Sequence, residues 1–336
     1  MVTTWRRAAA ALLLAGAGGC VRDSGAAVLG ARDDRVVTVR STGRGEIAFV
    51  VAARMTEGAR HVVVLDAAPP YVKVFGHDGR LQAAFVRKGG GPGELEAPAA
   101  LATSGDTAIL VADAKGGLSV FDLAGRLKQH TRPLGIVPLA AAAGCDGGWM
   151  LYGPVARAGT PAWLHDVRLA DGGATVRSAL LDTLPAQGVG IGLAYGLVGD
   201  GRSLVLRHDA GSAVYTRRCG GAPSLAFRTA ARRPGREIQA GHGRTVTRAG
   251  PGTRALAGMA EVPGGVVLAD VLTGGGTELV LHGRGGGTTS RRLAGAWFLR
   301  DSGPGGVLVS TDDPEPRLYV LRPSAFERLF AGRQGR

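Results

Sequence analysis

The chain contains no asparagine, three cysteines and four lysines in 336 residues, and aromatic side chains make up 5% of it. Each scarcity excludes something. Without asparagine, a calcium site would have only carboxylates, carbonyls and water to draw on. With no CxxC pair, a zinc ribbon or dithiol redox motif has no ligands. Neither HExxH nor H-x-H occurs, which excludes a zincin-type metalloprotease, and no GxSxG offers the nucleophile elbow of an α/β hydrolase. The net charge of +13 would suit nucleic acid. Yet the four lysines (Lys73, Lys88, Lys115, Lys128) are isolated, and the densest arginine groups are pairs such as Arg217-Arg218, Arg232-Arg233 and Arg291-Arg292. So few aromatics also make any stacking platform for single strands thin. Nucleic acid is therefore not expected as a partner. The charge reads as a solvated arginine-rich surface, with an anionic membrane as its functional use.

What the chain has in excess is glycine, 56 residues with no three-residue period, which excludes collagen. Hydrophobic residues at 45% and charged residues at 20% supply a core. Short apolar runs separated by glycine point to an all-β protein with many tight turns. The first twenty residues, MVTTWRRAAAALLLAGAGGC, differ from the rest. Arg6 and Arg7 precede an apolar run from Ala8 to Ala15, too short to span a bilayer, which takes about 20 residues. Small residues then lead to Cys20, the pattern of a cleaved signal. This stretch resembles the lipobox of bacterial lipoproteins, although the family's Leu three before the cysteine is Ala17 here. The resemblance implies lipidation at Cys20, a signal over residues 1–19, a tether over 20–34, and outer-membrane sorting from Val21. Cys145 and Cys219, 74 positions apart, either pair in an exported protein or stand as two separate buried thiols.

Two stretches match one another: VVVLDAAPPYVKVFGHDGRL (62–81) and AILVADAKGGLSVFDLAGRL (108–127). Each has an apolar run ending in Asp (Asp66, Asp113), a turn, an alternating strand reaching Phe (Phe75, Phe121), and a turn closing on Gly-Arg-Leu at Gly79 and Gly125. The offset is 47 residues between the aspartates and 46 between the phenylalanines. A period of this length with several strands per unit marks a propeller. Fainter copies at 147–173, 202–221, 264–287 and 305–324 bring the count of strand-Asp-strand units to six. Residues 36–53 are strand-like and expected to join the last unit, closing the ring.

The segment KGGGPGELEAP (88–98) lies between the outer turn of the first unit and the inner strand of the second. It is not a P-loop, because Lys88 precedes the glycines and Glu94 and Pro98 follow them. With the repeat that follows, it resembles the NHL family, and its GPGE variant (Gly91, Pro92, Gly93, Glu94) resembles six-bladed propeller lipoproteins of bacterial envelopes. That resemblance implies a six-bladed β-propeller over 35–322, followed by a short tail over 323–336 in which Phe326, Leu329 and Phe330 share one helical face.

No catalytic set stands out. His77-Asp78, His165-Asp166 and His208-Asp209 are expected at surface turns, and Asp301-Ser302-Gly303-Pro304 at a blade turn. The recurring Asp66, Asp113, Asp209 and Asp270 are expected to be structural. No cofactor is expected. The expected function is a monomeric, non-catalytic envelope lipoprotein whose propeller binds a protein, glycan or peptide on one face. The alternative is a hydrolase or lyase of the lactonase type, which needs three or more carboxylate or imidazole groups converging on a metal in the central channel.

Overall fold

The computed structural model describes residues 35–40, 46–155, 164–170, 173–179, 195–199, 203–208, 213–219, 221–229, 236–240, 244–248, 254–272, 275–311 and 316–331. Cys20, the signal and tether, Asp209 and His242 lie outside them.

The first strand, β1 (Arg35–Arg40), does not pair with the second. Instead β2 (Val50–Met55), β3 (His61–Asp66), β4 (Val72–Gly76) and β5 (Leu81–Phe85) make one antiparallel sheet in chain order. The pattern recurs in β6 (Pro98–Ser104), β7 (Ala108–Asp113), β8 (Leu118–Asp122) and β9 (Leu127–His130). It recurs again in β10 (Ala140–Ala143), β11 (Trp149–Tyr152), β12 (Leu164–Ala170) and β13 (Gly173–Ala179). The fourth set is β14 (Tyr195–Gly199), β15 (Ser203–His208), β16 (Ala213–Arg218) and β17 (Ser224–Arg228). A separate hairpin follows, β18 (Arg236–Ala240) with β19 (Arg244–Arg248). The fifth set is β20 (Arg254–Val262), β21 (Gly265–Leu272), β22 (Thr277–Gly283) and β23 (Thr288–Leu293). The last is β24 (Trp297–Gly303), β25 (Gly306–Thr311) and β26 (Arg317–Leu321), whose outer edge is taken by β1, with Thr38 opposite Tyr319.

Among the described residues there are thus six sets of four strands. Their first strands adjoin in the order β2, β6, β10, β14, β20, β24 and back to β2. The architecture is a six-bladed β-propeller. The stretch 36–53, expected to join the last unit as one piece, is two elements: β1 completes blade six, whereas β2 is the inner strand of blade one. Each sheet needs an innermost strand, and only residues just ahead of the Val-rich run can supply it through a short turn.

The Val-rich runs are continuous rather than alternating because both of their faces are covered. Val62 and Val64 pack with Leu308 and Leu318 of blade six, whereas Val63 and Leu65 pack with Leu101, Ile109 and Val111 of blade two. Leu110 and Ala112 turn the other way, onto Trp149, Leu151 and Val167 of blade three. Further layers join Tyr152 to Tyr215, Val214 to Met259, and Leu279 to Val309. Each fully buried valine or leucine contributes about 1.5–3 kcal/mol.

The inner strands all run one way, so the propeller has a leading face, where they begin, and a trailing face, where they end. The recurring aspartates stand at the leading end, with Asp66 opposite Val50, Asp113 opposite Pro98 and Asp270 opposite Leu256. A helix, α1 (Pro323–Ala331), follows β26 and buries Phe326 against the core of blades five and six, with Leu329 and Phe330 beside it. Its Glu327 accepts a hydrogen bond from the Gly264 N–H at 2.6 Å.

Two of the joints between neighbouring blades are made by a disulfide and by a merged sheet. Cys145, in the turn after β10, is bonded to Cys219, just beyond β16, and beside it the Arg217 guanidinium holds both Asp166 oxygens at 2.8 and 2.6 Å. Blades five and six come so close that Gly258 pairs with Leu299 in parallel, merging their sheets. Gly258 has φ of +109°, and a Cβ there would lie 1.9 Å from the Leu299 carbonyl oxygen.

Gly258→Ala is expected to cost at least about 3 kcal/mol, from left-handed strain plus forced separation of the strands. Gly285→Ala, with nothing within 4 Å, should change stability by less than about 0.5 kcal/mol. Denaturant titration reads both. In the chain-entropy picture, replacing Cys145 and Cys219 by serine removes a closed loop spanning 74 positions and should lower stability by up to about 4 kcal/mol, visible in the same titration.

Candidate functional site

At the leading face the aspartates act as staples. Asp66 is fully buried, and its carboxylate accepts hydrogen bonds from the N–H groups of Ala48 (3.0 Å), Phe49 (2.9 Å) and Ala68 (3.3 Å) and from the Lys73 ammonium. Asp113 repeats the arrangement on Glu96 (2.8 Å), Ala97 (2.9 Å) and Lys115 (2.8 Å). Each carboxylate thus ties the chain arriving from the previous blade to the turn that follows its own strand. Phe49 is pinned from both sides, because its carbonyl also accepts the Ala67 N–H at 3.0 Å. Its ring nonetheless stands 55% exposed, the most open large hydrophobic side chain among the described residues.

The GPGE segment turns the chain, and its amides are spent internally. The Gly91 N–H donates to the Glu94 carboxylate at 3.1 Å, Glu94 N–H to the Gly91 carbonyl at 3.0 Å, and Gly89 N–H to the Leu95 carbonyl at 3.0 Å. Pro92 is exposed, and Gly93 takes a φ of +77° beneath the Phe121 ring. Gly79 and Gly125 close the outer turns with φ of +74° and +85°. Phe75 and Phe121 are buried between blades, and Phe121 packs on Phe85 at 5.2 Å between ring centroids.

Six strands converging on one axis leave room for little but small side chains. The described channel walls are accordingly Ala52, Ala99, Ala100, Ala140, Ala257 and Gly258, with Val51, Leu139 and Phe298 at the rim. Arg54 breaks this pattern. Its guanidinium donates to the carbonyl oxygens of Ala53 at 3.1 Å, of Ala141 across the channel at 3.1 Å, and of Arg300 in blade six. It lines a cavity of about 320 Å³ on the leading side and another of about 60 Å³ on the trailing side, so it crosses the channel as a diaphragm. Below it lies Asp301, accepting the Met55 N–H at 2.8 Å. Burial pushes the Asp301 carboxyl above its ordinary range, opposed by Arg54, and burial pushes Arg54 below its ordinary value, opposed by Asp301.

Several expectations change on contact with these positions. His165 is not at a surface turn: it is fully buried in β12, between the Ser178 hydroxyl (2.8 Å) and the Gly153 carbonyl (2.9 Å). A polar ring can be buried there because both nitrogens find partners. His77-Asp78 is exposed at the outer turn of blade one. Asp301 and Ser302 lie inside β24 rather than in the turn, and Ser302 Oγ accepts the Glu261 N–H at 2.7 Å. Asp66, Asp113 and Asp270 do not converge. Among the described residues no three His, Cys, Asp or Glu side chains come together as a metal site would require. Arg54 and Arg300 were not foreseen as a pair. A charged residue at the end of an alanine-rich strand, VVAARM, was the available signal.

No family model matches the chain, and no curated protein matches it. Solved structures with a similar course include the Cps50 (Swd1) β-propeller domain of Myceliophteria thermophila, 13% identical over 85% of this chain and 98% of that one, at a TM-score of 0.49. Virginiamycin B lyase from Staphylococcus aureus is 10% identical over 80% and 94%, with a TM-score of 0.49. The RRP9 WD40 repeats are 12% identical over 84% and 83%, with a TM-score of 0.48. Likeness at this level adds nothing to the sheet order, which establishes the propeller by itself.

Asp113→Ala is expected to cost about 2–3 kcal/mol by leaving three N–H groups unpaired. Asp66→Ala should cost more, about 3–5 kcal/mol, because it also strands the buried Lys73 ammonium. The order of the two in thermal or denaturant unfolding checks the staple.

Proposed function

We propose that the chain is a lipid-anchored, NHL-like propeller of the bacterial envelope, without catalytic activity, which binds a protein, glycan or peptide on its leading face. One observation carries the binding reading: an exposed aromatic ring, Phe49, on a backbone held from both sides by a buried aspartate and a neighbouring amide. A large apolar side chain fixed in advance loses little conformational freedom when a partner covers it, which is how interface anchors work.

Export is supported by the Cys145–Cys219 bond, since such bonds persist in oxidising compartments. No described helix is long and apolar enough to cross a membrane. An acyl chain on Cys20 therefore supplies the attachment in this reading, and the arginine-rich surface favours an anionic bilayer. The propeller acts as a monomer in this reading, without nucleic acid.

In native envelopes, crosslinking should yield defined adducts of the mature protein that Phe49→Ala weakens and Arg80→Ala, on the trailing face, leaves intact. Cys20→Ala should abolish incorporation of a clickable fatty acid and release the protein from the membrane fraction. Adducts indifferent to Phe49→Ala, or vigorous turnover by the purified protein in a hydrolase screen, would overturn the reading.

A further inference from the structure

The joint between blades four and five has the smallest buried layer among the described residues: Val214, Met259, Val266 and Leu268, with the Phe227 ring stacked on His282 at 4.3 Å between centroids. Beside that layer stands a cleft of about 600 Å³, within the range of ligand sites. It opens on the trailing face, where β16 ends at Arg218 and β21 starts at Gly265, opposite Gly283 at the end of β22. Arg217 and Arg218 line one wall and Arg284 the other. Arg217 is committed to Asp166. Arg218 is exposed and has no ion pair among the described residues. Arg284 is exposed as well, 3.9 Å from the Glu261 carboxylate in the same cleft. A surface pair at that distance is weak and yields to a closer, bidentate anion. The mouth carries no bulk, since a Cβ added at Gly285, Gly286 or Gly287 would meet nothing within 4 Å.

The basic surface continues onto blade six. Glu327 of α1 holds the Gly264 N–H, next to Gly265 in the cleft wall, so the helix adjoins the cleft. Just ahead of that helix Arg322 is exposed, again with no ion pair among the described residues. The trailing turns of blades one to three differ, because their cations meet carboxylates: Arg60 with Asp106, Arg80 with Asp78, Lys128 with Asp122 and Arg168 with Asp146. The chain also arrives on this side. Arg35 faces Leu321 at the trailing end of the rim of blade six. Cys20 lies 15 positions before it, a length of chain that reaches at most about 50 Å. An anchor at Cys20 therefore joins the propeller on the face that holds these cations.

We propose that the trailing face of blades four to six rests on an anionic bilayer, with a lipid phosphate received in the cleft between Arg218 and Arg284. A planar guanidinium takes phosphate oxygens in pairs, and a negatively charged leaflet attracts each nearby cation. The proposal deepens the reading above and rests on it for the lipid anchor. What it adds is orientation. A tether limits the distance to the membrane but not the face presented to it, and here the charge selects the face. The leading face, with Phe49, is then turned away from the bilayer and open to a partner.

The test is sedimentation of the mature protein carrying Cys20→Ala, so that no acyl chain contributes, with vesicles of phosphatidylglycerol or of phosphatidylcholine. It should bind the first and not the second. Arg218→Gln should weaken binding about fivefold, and Arg218→Gln with Arg284→Gln at least about tenfold. Arg87→Gln with Arg132→Gln removes the same charge from the leading side and should leave binding unchanged. All variants are checked for native melting, and Arg218→Gln alone decides the matter if the double variant melts early. In the acylated protein, a fluorophore attached through Ser324→Cys on α1 should be quenched by brominated lipid, and one attached through Ala67→Cys on the leading face should not. Equal binding to both vesicles, no loss in Arg218→Gln, an equal loss in the leading-side control, or stronger quenching at position 67 overturns the proposal. Release of Cys20→Ala from native envelopes and adducts that depend on Phe49 would survive such a result, so failure of this surface and failure of the anchored-scaffold reading are separable.

Discussion

Burial of both faces of the middle strands is the constraint on which this protein depends. A blade has no inside of its own. Val62 needs blade six, Val63 needs blade two, and neither layer exists until the neighbour is present. The core is therefore a set of radial layers, and each layer joins residues distant in sequence. Stability is shared around the ring, and the weakest joint between blades limits the whole. Joints between blades three and four and between five and six carry extra ties, a disulfide with an ion pair in one and a merged sheet in the other.

The described buried aspartates Asp66 and Asp113 stand at the leading end of the axis and are put to work there. Buried aspartates are costly unless their oxygens are satisfied. Asp66 and Asp113 are satisfied by the amides of an incoming loop, so each carboxylate converts a flexible crossing between blades into a fixed one. Arg54 does the converse with carbonyls, reaching blades three and six from blade one. A leading face with stationary loops and a channel with a charged floor both follow from these bonds.

Much of the fold was legible because it rests on period and pattern. The 46–47 residue offset, the Asp before each turn and the glycines of the outer turns read directly onto the blades. The inner strands were less visible. AAAA at 140–143 and PAALATS at 98–104 have weak strand propensity, and their alanines reflect crowding at the axis, which is a tertiary cause. The same blindness hid Arg54, whose carbonyl partners Ala141 and Arg300 lie in other blades, the farther one 246 positions away. His165 looked like a turn residue beside Asp166, because nothing local reveals that Ser178 and the Gly153 carbonyl wait on either side of its ring. The hairpin β18–β19 had no counterpart in the repeat and so left no signal.

Because the last blade borrows its outer strand from Arg35–Arg40, synthesis and completion are opposed in time. The piece made first must wait for the piece made last. Until then the growing chain exposes an unfilled radial layer and free sheet edges, both invitations to wrong pairing. A truncated or stalled copy thus has no smaller stable version of itself to settle into. The finished ring is thus its own certificate that both ends of the propeller are present, and fragments stay open to proteases.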